Sequence, residues 1–374
     1  MKKIKKRKFS LKKTLKLLVP LFIIIIILVN ARNIVTFWQS KITGYEFETI
    51  RTFYELDIYD DVKKHTHSET LEHIITTEYY NPKYLDSYLD IDYYDRDNYF
   101  IRINRLLDNG YNTDEINEIY RDLNDESIEI LTNYDYLEDI CNILNLAYFD
   151  EDKLKRYLEY IKDKDLGYED LVTYVNANLD NKYYTNVVNV ENANDIDVLV
   201  NKYHKLANDY VPNDLEAISS KYNLGYNNKL RKEARVAFEK MCDAALKDGI
   251  TIYSGSAYRS YDYQLGLYNR YVANNGFDEA ETFSARAGYS EHQTGLATDI
   301  MNAQMDYISK NDKEYDWLIN NSYKSGFILR YPDGKDKITG YMYEEWHFRY
   351  LGVDLATKVY ESGLTYDEYV ARKK

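Results

Sequence analysis

Cysteine is scarce in this chain of 374 residues: there are two, Cys141 and Cys242, in different parts of the sequence. Two separated thiols make no disulfide framework, so a packed core must hold the fold together. Basic charge is also in deficit. Against 62 acidic residues stand 48 basic ones, a formal net charge of -14. A nucleic-acid binder would carry a basic face, and that class is excluded. Histidine occurs six times and proline four, so each is worth locating. A long apolar run is missing too. Leu17–Val29, "LLVPLFIIIIILV", falls short of the ~20 apolar residues that a helix needs to cross a bilayer.

What is present is unevenly placed. Lys2, Lys3, Lys5, Lys6, Arg7, Lys8, Lys12, Lys13 and Lys16 crowd the first 16 residues, with no acid among them. Basic residues followed by an apolar run read as a signal anchor or a signal peptide. Lys16 and Arg32 can snorkel and Trp38 can sit at an interface, which lengthens the effective span. The uncleaved anchor is the favoured reading over cleavage near Val29–Ala31. Residues 1–32 are then a cytoplasmic segment and membrane anchor, single-pass, with the remaining chain outside the cytoplasm.

Length allows two or three domains. Residues 33–195 are acidic, rich in Asn and Tyr and poor in Gly and Pro. Helical spacing recurs there: Ile116, Ile119, Tyr120 and Leu123 after a cap-like Thr113, then Leu154, Tyr157, Leu158 and Ile161. This is a helical spacer or accessory region. The 42 tyrosines read as the available half-buried aromatic rather than as a sugar-stacking array. His65, His67 and His73 cluster without a metal-ligand pattern and read as surface residues.

From about residue 196 the texture changes. A helix is expected over Asn228–Lys247, with Ala234, Ala237, Phe238, Met241, Ala244 and Ala245 at helical spacing and Gly249 as the stop. "ITIYSGSAYRS", "GLATDIM", "GFILRY" and "EEWHFRYLG" read as short strands, followed by two C-terminal helices. Helices and strands mix without regular alternation, which predicts an α+β fold over residues 196–374.

Three stretches there carry chemistry: Ala257–Gln264, Ser290–Ile300 and Tyr343–Gly352. His292, Asp299 and His347 form a nitrogen, oxygen, nitrogen set, and three protein ligands plus a water is the arrangement of a catalytic zinc. The same donors accept other divalent ions. Zinc lowers the pKa of its water and polarises a carbonyl. A carboxylate off the metal must then move the proton, and Glu344 is the candidate. Residues three apart point to opposite faces of a strand, so Glu344 and His347 face one ion only if the strand bulges or breaks. Gly295 suits the turn between His292 and Asp299. Ala297 leaves room for another group to approach.

"SEHQTGLATD" resembles the Ser-x-His-x-x-Gly-x-Ala-x-Asp pattern of the LAS-type zinc peptidases. "EEWHFRY" is similar to the Glu-x-x-His motif of their VanY-type D-alanyl-D-alanine carboxypeptidases, and "SAYRSYDYQ" to their Ser-Gly-Tyr-Arg-Ser-x-x-x-Gln segment. The resemblance covers about residues 197–370. It implies a hedgehog/D,D-peptidase-like zinc domain with a small antiparallel sheet flanked by helices. It also implies one zinc on His292, Asp299 and His347, and Glu344 as general base and acid. Arg259 would hold a polarised carbonyl or a peptide carboxylate, and Gln264 and Ser290 would line the substrate pocket. Ala257 replaces a common glycine, and Ala287 and Glu345 replace prolines. Glu345 is a rival for the base.

The implied activity is removal of the terminal D-alanine from peptidoglycan stem peptides. The alternatives within that class are an L,D-carboxypeptidase, a D,D-dipeptidase or a cross-link endopeptidase. Outside it stands an inactive wall-binding or adaptor protein, against which the retention of Glu344 argues.

Overall fold

The computed structural model describes residues 11–92, 98–162, 166–225 and 228–373, with residues 11–17 and 29 described by backbone alone. Six of the nine N-terminal cations, Lys2 to Lys8, lie outside the described residues. The chain divides into two units, Met1–Cys141 and Asn142–Lys374.

The first unit is helical. Leu11–Val29 is followed by Ala31–Thr43, and the two are bent by 53° at the break between them. No single described helix is long and apolar enough to cross a membrane, although the bent pair is so when taken together. The large apolar side chains from Leu18 to Leu28 are all exposed. Short amphipathic helices follow, including Phe47–Leu56, Glu69–Thr76, Tyr99–Asn109 and Thr113–Asp122. In the last, Ile116, Ile119, Tyr120 and Leu123 are buried. The cap is Asn112, not Thr113: its side chain accepts from the Glu115 N–H while Glu115 accepts from the Asn112 N–H, a reciprocal pair that satisfies two free donors. His73 is exposed. His67 and His65 are half-buried and sit beside Glu72 (2.6 Å) and Asp86 (3.0 Å).

The second unit is α+β. Its centre is a four-stranded antiparallel sheet in the spatial order Tyr253–Ser256, Ala297–Met301, His347–Tyr350, Phe327–Leu329. The Lys232–Lys247 helix lays Phe238, Met241, Cys242 and Ala245 into a core shared with Leu296, Ile300, Phe327 and Phe348. This helix starts four residues later than its spacing predicts. Lys229–Arg231 instead pairs antiparallel with Leu215–Ala217, and the Arg231 N–H goes to the Gly295 carbonyl at 2.8 Å. Tertiary hydrogen bonds thus override helix propensity. Cys242 turns inward and Ala244 outward. Both cysteines are free thiols.

Residues 142–195 lie in this second unit. The Tyr168–Asn176 helix is tied to the C-terminal one, with Asn176 donating to the Ala371 carbonyl at 3.1 Å and Arg372 to the Thr173 hydroxyl at 2.9 Å.

Candidate metal centre

Sheet register places two of the three donors. Asp299 and His347 are direct partners across adjacent antiparallel strands. Opposed residues share a face and stand with Cβ atoms ~5 Å apart. Two residues further along, Ala297 faces Arg349, so the small residue leaves room for a guanidinium. The third donor arrives from a loop. Glu291–Thr294 forms a single 3-10 turn that Gly295 ends at φ 68°. A side chain at Gly295 would meet Leu215 Cδ2 at 2.8 Å and Arg231 Cγ at 3.1 Å. Backbone conformation and space therefore both demand glycine there. His292 leaves this turn and donates from Nδ1 to the Ala257 carbonyl at 2.6 Å, which frees Nε2 to act as a ligand.

The donor atoms converge. His292 Nε2 is 3.4 Å from Asp299 Oδ1, and His347 Nδ1 is 3.2 Å from the same oxygen. All three lie within 4.8 Å of one another. Two ligands each ~2.0–2.1 Å from a tetrahedral ion stand roughly 3.3–3.4 Å apart. Both of these edges match that spacing. Asp299 Oδ1 is buried and has no hydrogen-bond partner, as an atom reserved for a cation would be. Buried charge is tolerated only when it is paired or coordinates a metal. The set fits a single zinc-sized ion.

The other Asp299 oxygen takes Arg259 Nη2 at 2.5 Å, and Arg259 Nε donates to Ser256 Oγ at 3.0 Å. Arg259 is thus held against Asp299 while still lining the cavity in front of it. Burial outweighed by the charges of His292 and Arg259 keeps Asp299 well below the ordinary carboxylate range.

Glu344 lies ahead of its strand, not in it. A turn at Glu345–Trp346 precedes His347–Tyr350, so Glu344 and His347 come to one side, with Oε2 3.6 Å from Nδ1. Burial pushes the Glu344 carboxyl up to about 7. Asp299 and Glu291 add to this, while His347 and Arg259 oppose it. Glu345 is half-buried and does not line the cavity.

That cavity holds about 250 Å³. Gln264 and Ser290 line it together with Tyr307, Tyr331 and Trp346. Gln264 donates to the Ala285 carbonyl at 2.7 Å, and its Oε1 is buried without a partner. Met342, which also lines the cavity, donates its N–H to the Thr282 carbonyl at 2.7 Å.

Arg259, Gln264, Ser290, His292, Asp299, Glu344 and His347 therefore all line this one cavity, and the rival base Glu345 does not. Sequence reasoning missed Glu291, Arg330 and Arg349, a buried charged group behind His347. Glu291 carried a signal, since it is the one charged residue between Ser290 and Ala297 other than His292. The two arginines carried none.

The sequence model of the VanY family, described as D-alanyl-D-alanine carboxypeptidase, matches residues 227–353. The chain is 36% identical over 216 residues to the putative carboxypeptidase YodJ of Bacillus subtilis (strain 168), covering 52% of this chain and 77% of that protein. It is 38% identical over 188 residues to a D-alanyl-D-alanine carboxypeptidase of Enterococcus faecalis (strain ATCC 700802 / V583), covering 47% and 66%. It is also 32% identical over 178 residues to the bifunctional D-Ala-D-Ala dipeptidase and D-Ala-D-Ala carboxypeptidase VanXYC of Enterococcus gallinarum, covering 46% and 91%. At 36% identity over 77% of one curated relative and 32% identity over 91% of another, the chain belongs to the VanY family of D-alanyl-D-alanine carboxypeptidases.

Proposed function

We propose that this protein is a zinc carboxypeptidase that removes the terminal D-alanine of peptidoglycan stem peptides. The observation that carries the reading is one constellation: three buried donors converging within 4.8 Å, two of their edges at tetrahedral spacing, with the buried carboxyl of Glu344 beside them in one cavity. His292, Asp299 and His347 hold the ion. Zinc, when bound, supplies a Lewis acid that acidifies water and polarises a carbonyl.

The remaining work falls to side chains. Glu344 as carboxylate takes a proton from the attacking water and, once protonated, gives it to the leaving amine. Its raised pKa, about 7, suits both halves of that exchange. Arg259, fixed by Asp299 and Ser256, presents its positive charge to a substrate oxygen, either the polarised carbonyl or the terminal carboxylate. The unpartnered Gln264 Oε1 accepts a substrate N–H, and Ser290 lines the same cavity. Tyr307, Tyr331 and Trp346 wall the cavity with aromatic rings.

The apolar segment Leu17–Val29 serves as a membrane anchor in this reading, with the catalytic domain outside the cytoplasm where stem peptides are found. The exposed apolar side chains of Leu18–Leu28 support it, as do Ile34, Val35, Trp38 and Ile42 on the next helix. Residues 33–195 act as spacer or as a surface for a cell-wall partner. The test of the activity is product mass from synthetic tri-, tetra- and pentapeptide stems. Loss of one alanine from the pentapeptide is expected. A product from the tetrapeptide alone would mark an L,D-carboxypeptidase, and loss of the dipeptide would mark a D,D-dipeptidase.

A further inference from the structure

Behind His347 lies a fully buried ionic group. The Glu291 side chain has no exposure, and neither have Arg330 and Arg349. Glu291 Oε1 accepts from Arg330 Nε at 2.8 Å and from Arg349 Nη1 at 3.0 Å. Its other oxygen, Oε2, has no hydrogen-bond partner, and it points at His347 Nε2, 3.6 Å away, which has none either. Two buried polar atoms that face each other and nothing else are an unusual pair, because burial normally comes with satisfaction. Both arginines are anchored from further out. Arg330 grips Asp367 of the Tyr366–Ala371 helix at 2.6 and 3.3 Å, and Asn201 donates to the same carboxylate at 2.8 Å. Arg349 donates to the carbonyls of Ile196 (2.9 Å) and Val198 (2.7 Å).

We infer that Glu291 is a positioning residue for the metal centre. It accepts the Nε2 proton of His347 and so fixes Nδ1 as the lone pair turned to the ion. The chemistry is direct. A neutral imidazole carries one proton, and ligation through Nδ1 requires that proton on Nε2. A buried N–H needs an acceptor, and Oε2 is the one in line with it. Closing 3.6 Å to hydrogen-bond distance takes a shift of roughly half an ångström. Partners of this kind orient ligating histidines and raise their basicity. Arg330 and Arg349 use only Oε1, so they fix the carboxylate plane without consuming the oxygen that His347 needs. Asp367, Ile196 and Val198 all lie outside the matched residues 227–353. The brace therefore ties both flanking segments to the domain.

The inference rests on His347 as a metal ligand and is tested with Zn²⁺ alone. The full chain in detergent is stripped of metal, and zinc affinity is measured by chelator competition beside the thermal midpoint of the metal-free form. The absorption spectrum of the Co²⁺-loaded form is recorded as well. Glu291→Gln keeps the volume but turns an amide N–H₂ toward Nε2. It is expected to bind zinc about 10–100-fold more weakly and to change the Co²⁺ spectrum. Asp367→Asn loosens the same network from outside and should lower the thermal midpoint while leaving zinc affinity within threefold. If Glu291→Gln does not fold, the double variant with Arg349→Met restores charge balance and should show the same loss of affinity. Zinc affinity within threefold of wild type in Glu291→Gln, or an equal loss in Asp367→Asn, would overturn the role. Failure of the wild type to bind zinc would overturn the metal reading instead.

Discussion

Zinc must displace a proton to enter this site, and the charges around the two histidines favour His347 as its holder. Burial disfavours the His347 cation, but Asp299, Glu291 and Glu344 outweigh it and hold the proton up to about 9. His292 is driven the other way, to about 4, by burial and the charge of Arg259. At neutral pH the metal-free site is therefore expected to hold one imidazolium, on His347, beside an ionised Asp299. The gap between pH 7 and about 9 costs the incoming ion about 3 kcal/mol, roughly a hundredfold in apparent affinity. The assay follows the ring C–H resonances of labelled histidine in stripped protein, assigned with His292→Gln and His347→Gln. One resonance should titrate near 9 and vanish from the titration once zinc is added, while His292 stays flat above pH 5. A second readout has a definite sign. A histidine whose folded pKa is raised stabilises the fold fully below about 6.5 and loses that contribution as pH rises through about 9. The metal-free thermal midpoint should fall across that window. His347 titrating at or below 6.5, or His292 holding the proton, would refute the reasoning.

Three further outcomes are expected. Glu344→Gln should lower kcat by about 10²–10⁴ and leave zinc binding intact, as inductively coupled plasma analysis of the purified variant would show. In the wild type, kcat/KM should rise with pH along a limb between about 4.5 and 7, because burial raises Glu344 and a bound cation pulls it back; the limb should be absent from the residual activity of the glutamine variant. Gly295→Ala places a side chain at φ 68° against Leu215 and Arg231. About 1–2 kcal/mol for the left-handed backbone alone should lower the melting midpoint of the second unit by roughly 2–8 °C in calorimetry.

The reactive part of the site was legible because its chemistry is local. His292, Gly295, Ala297 and Asp299 occupy eight consecutive positions, and Glu344 and His347 four, so motif and geometry coincide. The break of the strand at Glu345–Trp346 was required by spacing alone. The brace behind His347 was not legible. Glu291, Arg330, Arg349 and Asp367 come from four separate segments, and an arginine in a short strand reads as a solvent-facing residue until the fold buries it. The Lys232 start of the long helix was hidden for a related reason: the Gly295 and Asp214 carbonyls that capture the N–H groups of Arg231 and Lys232 are distant in sequence. Composition changes near residue 196, whereas the second unit begins at Asn142, because docking of Tyr168–Asn176 on the C-terminal helix uses Asn176, Thr173 and Arg372, whose pairing leaves no compositional mark.

The central claim is that His292, Asp299, His347 and Glu344 form one hydrolytic centre. Its most direct test is the mass of products from a stem pentapeptide ending in D-Ala-D-Ala, incubated with the zinc-loaded chain, with the chelator-stripped chain and with Glu344→Gln. The account predicts loss of a single alanine in the first sample and in neither of the others. Cleavage that survives both chelation and the substitution would contradict it.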